Sequence, residues 1–238
     1  MTVVRDELEL KARVEDPDAL RAALLAAGAA LVYRGAMLDR RFDRRPKVVR
    51  AQVEQEDSCP VLELPASWDA YLERLGGKDR HELRRKIRKL ERELPGTSVR
   101  SHASPEGWDG ALAGFLRLHR LSKAGKARFM DERMEAFFRD ATHALAARGW
   151  ARLWFLDWDG AAVASFLCLE HAGSVGLYNS GFDPLHAKLA PGIVLLAHVI
   201  RDAIDRGVAV FDFLRGEEPY KYAFGPAAQD LFRVRVAP

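Results

Sequence analysis

Asp212 is the one acid in an otherwise apolar run, Val208-Ala209-Val210-Phe211-Asp212-Phe213-Leu214. The β-branched, greasy character of that run predicts a buried strand. Burying a lone carboxylate costs several kcal/mol unless it is paired or sits at an open end. Asp212 is therefore expected near a strand terminus that faces a cleft, with Arg215 or Lys221 as its partner. Such a pair either fixes the turn at Arg215-Gly216 or carries proton chemistry. Asp212 and Glu218 are candidate proton acceptors for a nucleophile that must lose a proton. Arg215 suits a carboxylate or phosphate on a substrate, and the aromatic-basic cluster Tyr220-Lys221-Tyr222 suits a substrate wall.

A second constellation lies upstream, where Leu189-Ala190-Pro191-Gly192-Ile193 opens a long helix. Proline is preorganised for a first helical turn, and the unbonded backbone N–H groups there form an anion site. The strand before it, Ser174 to Asp183, and the strand after it, 208–214, complete a strand–helix–strand unit. That order predicts a parallel pair joined by a right-handed crossover.

Phe211-Asp212-Phe213-Leu214-Arg215-Gly216 followed by Tyr220-Lys221-Tyr222 resembles a signature of the GNAT acyltransferase superfamily. The resemblance is to its BioF2-like/CelD-like branch, a relative of the Fem-type peptidyltransferases, and it extends over residues 60 to 236. It implies a mixed α/β (α+β) fold: a mostly antiparallel sheet with one splayed parallel pair and flanking helices. It also implies a pyrophosphate site at the strand-to-helix junction. Acyl-CoA would be bound there by Tyr178, Asn179, Ser180, Gly181, Ala190, Pro191, Gly192 and Ile193, and backbone N–H groups of the strand would polarise the donor carbonyl. Ala190 stands where a hydroxyl is common. Lys221 lines up with a functional lysine of the Fem-type signature, facing donor phosphate or the developing oxyanion. His119 and Lys123 fall in a region that borders the acceptor cleft in the family, which makes them candidate acceptor-binding or base residues, His119 a further candidate proton acceptor; a surface basic loop is the alternative. The implied activity is acyl transfer to an amine from a thioester, or from an aminoacyl ester, with no metal required.

The chain before this region has another character. Glu7, Glu9 and Lys11 alternate with Leu8 and Leu10 as in a half-buried strand, and Asp16-Pro17-Asp18 caps an expected helix over Ala19–Gly28. This resembles the opening of a CYTH triphosphate-tunnel domain, in which the two acids bind a divalent metal and the lysine a phosphate. A closed tunnel takes about eight strands, more than some fifty residues supply. The expected division is a truncated βα appendage over 1–58 and a GNAT-like domain over 59–238, with Glu7, Glu9 and Lys11 as the solvent face of a docked strand. Metal-dependent triphosphate hydrolysis is the competing reading.

Lys78 to Leu94 carries Leu83, Ile87, Leu90 and Leu94 on one stripe, the spacing of an amphipathic helix. Its other faces hold eight basic and four acidic residues, so they are either a solvated surface with internal ion pairs or an arm for RNA or another anionic polymer. Two further helices are expected around Phe115–Arg120 and after Asp131, the latter with Met134, Phe137, Phe138, Ala141 and Leu145 inward. Residues 122–130 between them read as a basic, glycine-containing loop. Asp159-Gly160 predicts a hairpin turn. Gln229 to Val236 is expected to close the sheet.

Net charge is +3 over 238 residues, too slight an excess to point to nucleic acid. Cys59 and Cys168 are the two cysteines; they read as packed thiols in a reducing, cytoplasmic setting. No uncharged run reaches the length of a membrane span.

Overall fold

The computed structural model of the chain describes residues 8–13, 30–34, 39–44 and 47–237, with side chains over 53–234. In chain order the elements are β1 (Leu8–Arg13), β2 (Ala30–Arg34), β3 (Asp39–Arg44), β4 (Lys47–Glu63), α1 (Trp68–Arg74), α2 (Gly77–Glu93), β5 (Ser98–His102) and α3 (Trp108–Ser122). Then follow α4 (Ala124–Phe129), α5 (Glu132–Ala146), β6 (Ala151–Trp158), β7 (Ala161–His171), β8 (Ser174–Phe182), a 3₁₀ turn (Pro184–Leu189), α6 (Pro191–Asp205), β9 (Val210–Asp212), α7 (Pro219–Tyr222) and β10 (Ala227–Ala237).

The chain forms two compact units. One comprises Met1–Pro60, Arg215–Glu217 and Ala228–Pro238; the other comprises Val61–Leu214 and Glu218–Ala227. In the first, β10 runs antiparallel to β1, with Glu9 opposite Arg235 and Lys11 opposite Arg233, and β3 pairs β2 and β4. The segment expected to close the catalytic sheet thus pairs with the N-terminal strand. Arg233 bonds Glu56 at 2.8 Å, and Gln55 donates to Asp230 at 2.9 Å. Glu7 and the helix expected over Ala19–Gly28 lie outside the described residues.

The second unit is a sheet in the order β4–β9–β8–β7–β6–β5, to which β4 contributes Val61–Glu63. Every pairing in it is antiparallel except β8 with β9. Alternation along the strands sends side chains to two cores. Phe166 and Cys168 on β7 join Leu83, Leu90, Leu195 and Ile200 on one face. Leu167 joins Leu112, Phe115, Leu116 and Phe138 on the other. Each fully buried side chain of this size contributes about 1.5–3 kcal/mol, so two such cores hold the sheet between helical layers.

Local chemistry sets the ends of these elements. Ser67 caps α1 by accepting from Ala70 N at 3.2 Å, and Asp131 caps α5 by accepting from Met134 N at 2.8 Å. Asp159 and Gly160 both take positive φ, the conformation a two-residue hairpin turn needs. The leucine stripe of α2 is inward as its spacing predicts. Two expectations need correction. Residues Ala124–Phe129 form the short helix α4, closed by a backbone bond from Met130 N to Lys126 O at 3.0 Å. Phe137, expected inward, is 58% exposed; Phe138 and Thr142 take the buried face of α5 instead. Trp108 donates its indole N–H to Thr142 Oγ1 at 3.0 Å, which explains a polar residue there.

Candidate active site

The parallel pair of β8 and β9 is three residues long: Ser174, Val175 and Gly176 lie opposite Val210, Phe211 and Asp212. β9 ends there, while β8 runs on to Phe182. The strands therefore part, and the free length of β8 forms one wall of a cavity of about 530 Å³. Ser180, Gly181 and Phe182 supply that wall, and Ala190, Pro191, Gly192 and Ile193 supply the next, at the head of α6. Lys123 and Lys126 enter from α4 and its cap; Glu218, Pro219 and Tyr220 enter from α7 and its cap.

The head of α6 borders the cavity. Pro191 occupies the first turn, Ala190 is in the left-handed region at φ 51°, and no side chain caps this end. Helix N-termini leave N–H groups without intrahelical partners and carry partial positive charge. Ile193 N and Val194 N donate to Ala190 O at 3.0 and 3.2 Å and Pro191 has no N–H, which leaves Gly192 N without a backbone partner among the described residues.

On β8, Leu167 is opposite Asn179 and Cys168 opposite Leu177, so Tyr178 is the extra residue of a bulge. The bulge leaves Tyr178 exposed beside Phe138, outside the cavity wall. It turns Asn179 toward α3, where its Oδ1 lies 3.0 Å from His119 Nε2. Ser180 N also donates to Asn179 Oδ1, at 3.3 Å. A carbonyl oxygen only accepts, so His119 carries its proton on Nε2. Burial, followed by the charge of Lys126, drives His119 down to about 4. It is a neutral imidazole held behind the cavity wall, and its Nδ1 has no partner among the described residues.

Lys126 is the residue that sequence reasoning passed over. It reads as one of several cations in a loop, and only the helical turn of α4 aims it at β8. Its Nζ donates to Ser180 O and to Ser180 Oγ, the latter at 3.2 Å. Burial and then the neighbouring Lys123 pull its ammonium down to about 8, against an upward pull from Glu218.

Asp212 ends β9 and its Oδ1 accepts from Leu214 N at 2.8 Å, bracing a turn in which Leu214 takes φ 55°. Lys221 is 3% exposed; its Nζ meets Glu218 Oε2 at 2.8 Å and Leu214 O at 3.5 Å. Burial raises Glu218, but its bond to Lys221, a backbone hydrogen bond and the charges of Lys221 and Lys123 together outweigh that and leave it below the usual carboxylate range. Arg215 belongs to the first unit, where its guanidinium bonds Asp57 and lies 3.3 Å from Glu56. Tyr222 is half-buried and, like Asp212 and Lys221, is not part of the cavity lining. Cys168 is fully buried, and burial pushes its thiol up, so it is inert.

Residues 77–222 match the family model of the acetyltransferase (GNAT) domain. The chain belongs to this family. Several solved structures share the fold. FemX superposes with a TM-score of 0.63 at 12% identity, covering 95% of this chain and 71% of its own. A conserved protein of unknown function from Bacteroides thetaiotaomicron superposes at 0.56 and 13% identity, with 82% and 64% covered. L-PGS from Bacillus licheniformis does so at 0.52 and 12%, with 77% and 62% covered. The GNAT chain described here thus spans less than two thirds of the latter two, and identities this low speak of fold alone. No curated protein matches the sequence. As a GNAT enzyme the protein is an acyltransferase. No helix among the described residues is long and apolar enough to cross a membrane.

Proposed function

We propose that this GNAT enzyme moves an acyl group from an acyl-CoA-type thioester to a primary amine. The observation that carries this reading is the cavity at the parting of β8 and β9, walled by the uncapped head of α6. A pyrophosphate against Gly192 would meet its N–H and the positive end of the α6 dipole. The thioester would then lie along Ser180–Phe182, where Phe166, Phe182 and Pro219 give an apolar lining for the acyl and pantetheine groups. The amine nitrogen attacks the thioester carbonyl carbon, a C–N bond forms, the C–S bond breaks, and the thiol departs with a proton. Lys221, held by Glu218, supplies a fixed positive charge beside the turn at Leu214 that follows β9.

Calorimetric titration with CoA and acetyl-CoA, followed by thiol release over a panel of an alkylamine, an amino acid, an amino sugar and a lysyl peptide, tests the reading. Binding of CoA and amine-dependent thiol release are expected. Absence of binding by both nucleotides overturns the acyl-CoA donor.

A further inference from the structure

We propose that Lys126 is the general base of this transfer, taking a proton from the acceptor's ammonium group inside the cavity. The inference rests on the acyl-transfer reading above and adds the group that makes the nucleophile.

A primary amine reaches the enzyme mostly as R–NH3⁺, which has no lone pair with which to attack. Some group facing the cavity must remove a proton. Lys126 lines the cavity and its Nζ is already anchored, donating to Ser180 O and to Ser180 Oγ. A neutral lysine amine has two hydrogens and one lone pair. Two acceptors on one residue match the two hydrogens, and the remaining position on Nζ, the lone pair, is left for the cavity. The charged form would instead point its third hydrogen into the cavity.

The surroundings favour the neutral form. Lys123 adds a like charge from the helix cap, and His119, from α3, is itself uncharged. Tyr220, across the cavity, is raised to about 12 by burial and then by Glu218, so it stays a neutral phenol. Glu218 is the one acid lining the cavity among the described residues, and it lies 2.8 Å from Lys221. Lys126 is drawn down to about 8, so far more of it is free base near neutral pH than of an ordinary lysine. A base poised near the working pH is the efficient one.

The other candidates are less well placed. His119 spends Nε2 on Asn179 and its ring is behind the wall; Asp212 braces Leu214 N; Glu218, ion-paired, is too weak a base. The steps balance. R–NH3⁺ gives one proton to Lys126 Nζ and becomes R–NH2, which adds to the carbonyl carbon. As the C–S bond breaks, the second nitrogen proton goes to the departing thiolate. Lys126 returns its proton to water through the mouth of the cavity.

The test uses the full chain, acetyl-CoA and the fastest amine of the panel. Lys126→Met should lose about 10²–10⁴-fold in kcat at saturating acetyl-CoA and lose the limb near pH 8 from its rate profile. Lys126→Arg keeps a cation beside Ser180 but cannot give up a proton, so it should be as slow as Lys126→Met. Full activity in either variant, or recovery in Lys126→Arg alone, overturns the proposal. Trace labelling of the wild-type protein with acetic anhydride reads Lys126 directly. A reactivity midpoint near pH 8 supports a base, and an ordinary lysine midpoint removes it. If CoA does not bind the wild-type protein, the donor reading fails, and the labelling midpoint still decides the state of Lys126.

Discussion

The backbone of Gly181 runs directly against that of His119: a Cβ on Gly181 would lie 2.4 Å from His119 N and 2.5 Å from Leu118 C. Neither atom can yield, because both are main chain of α3. Gly181 is therefore a packing requirement. It sets the approach of α3 to β8 and with it the His119–Asn179 bond and the wall that Ser180 presents. Gly181→Ala should cost about 2 kcal/mol or more by overpacking, read as a lower urea midpoint, and should lower transfer with it. Unchanged stability would mean that α3 and β8 are not in this contact.

Lys221 should matter to chemistry more than to donor binding. Its ammonium is buried, 2.8 Å from Glu218 Oε2, and it lies outside the lining that would hold the nucleotide. Lys221→Met should lower kcat about 10²-fold, the scale seen when one preorganised charge donor is removed, with CoA affinity preserved. A variant that transfers at the wild-type rate would take Lys221 out of the mechanism.

The head of α6 allows folding and binding to be separated. A side chain at Gly192 meets open space, and an acid in a first helical turn is stabilising by about 0.3–1 kcal/mol. The same carboxylate would repel a pyrophosphate. Gly192→Asp should thus hold or raise the melting temperature while weakening CoA binding at least tenfold. Equal affinity for CoA would place the pyrophosphate elsewhere.

His119 makes stability depend on pH. The folded state holds it neutral, near 4, against an ordinary value of 6.5. Between those values the unfolded chain binds more protons, so stability falls as pH drops through the interval and is indifferent to this group above it. The full effect is about 3 kcal/mol, at about 1.4 kcal/mol per pKa unit, since the ring is 1% exposed. His198, also lowered by burial, adds in the same direction. Chemical denaturation of wild type and His119→Gln at pH 7, 5.5 and 4.5 should show the slope shrinking in the variant.

Much of the frame is legible in local pattern. Leu83, Leu90 and Leu94 mark the inward face of α2, Asp159-Gly160 the hairpin, Asp131 the cap of α5, and Pro191 the first turn of α6. Each depends on residues within one or two turns of one another. The family signature around Asp212 and Lys221 is likewise continuous in sequence. What periodicity misjudged was Phe137, because a helix on the surface has a boundary where apolar residues face water, and only the neighbouring layer fixes where it lies.

The family signature around Asp212 and Lys221 thus carried the GNAT-type sheet, and the residues alone determined the parallel crossover after Ser174–Phe182 and the proline-led first turn of α6, because turn chemistry, caps and apolar periods act over short range. The tertiary structure decided which cations and acids share a cavity. Lys126 meets Ser180 across 54 residues of chain, Arg215 goes to Asp57, and Lys221 turns to Glu218. Such choices depend on desolvation and on distance between elements remote in sequence, and neither quantity is written in residue order.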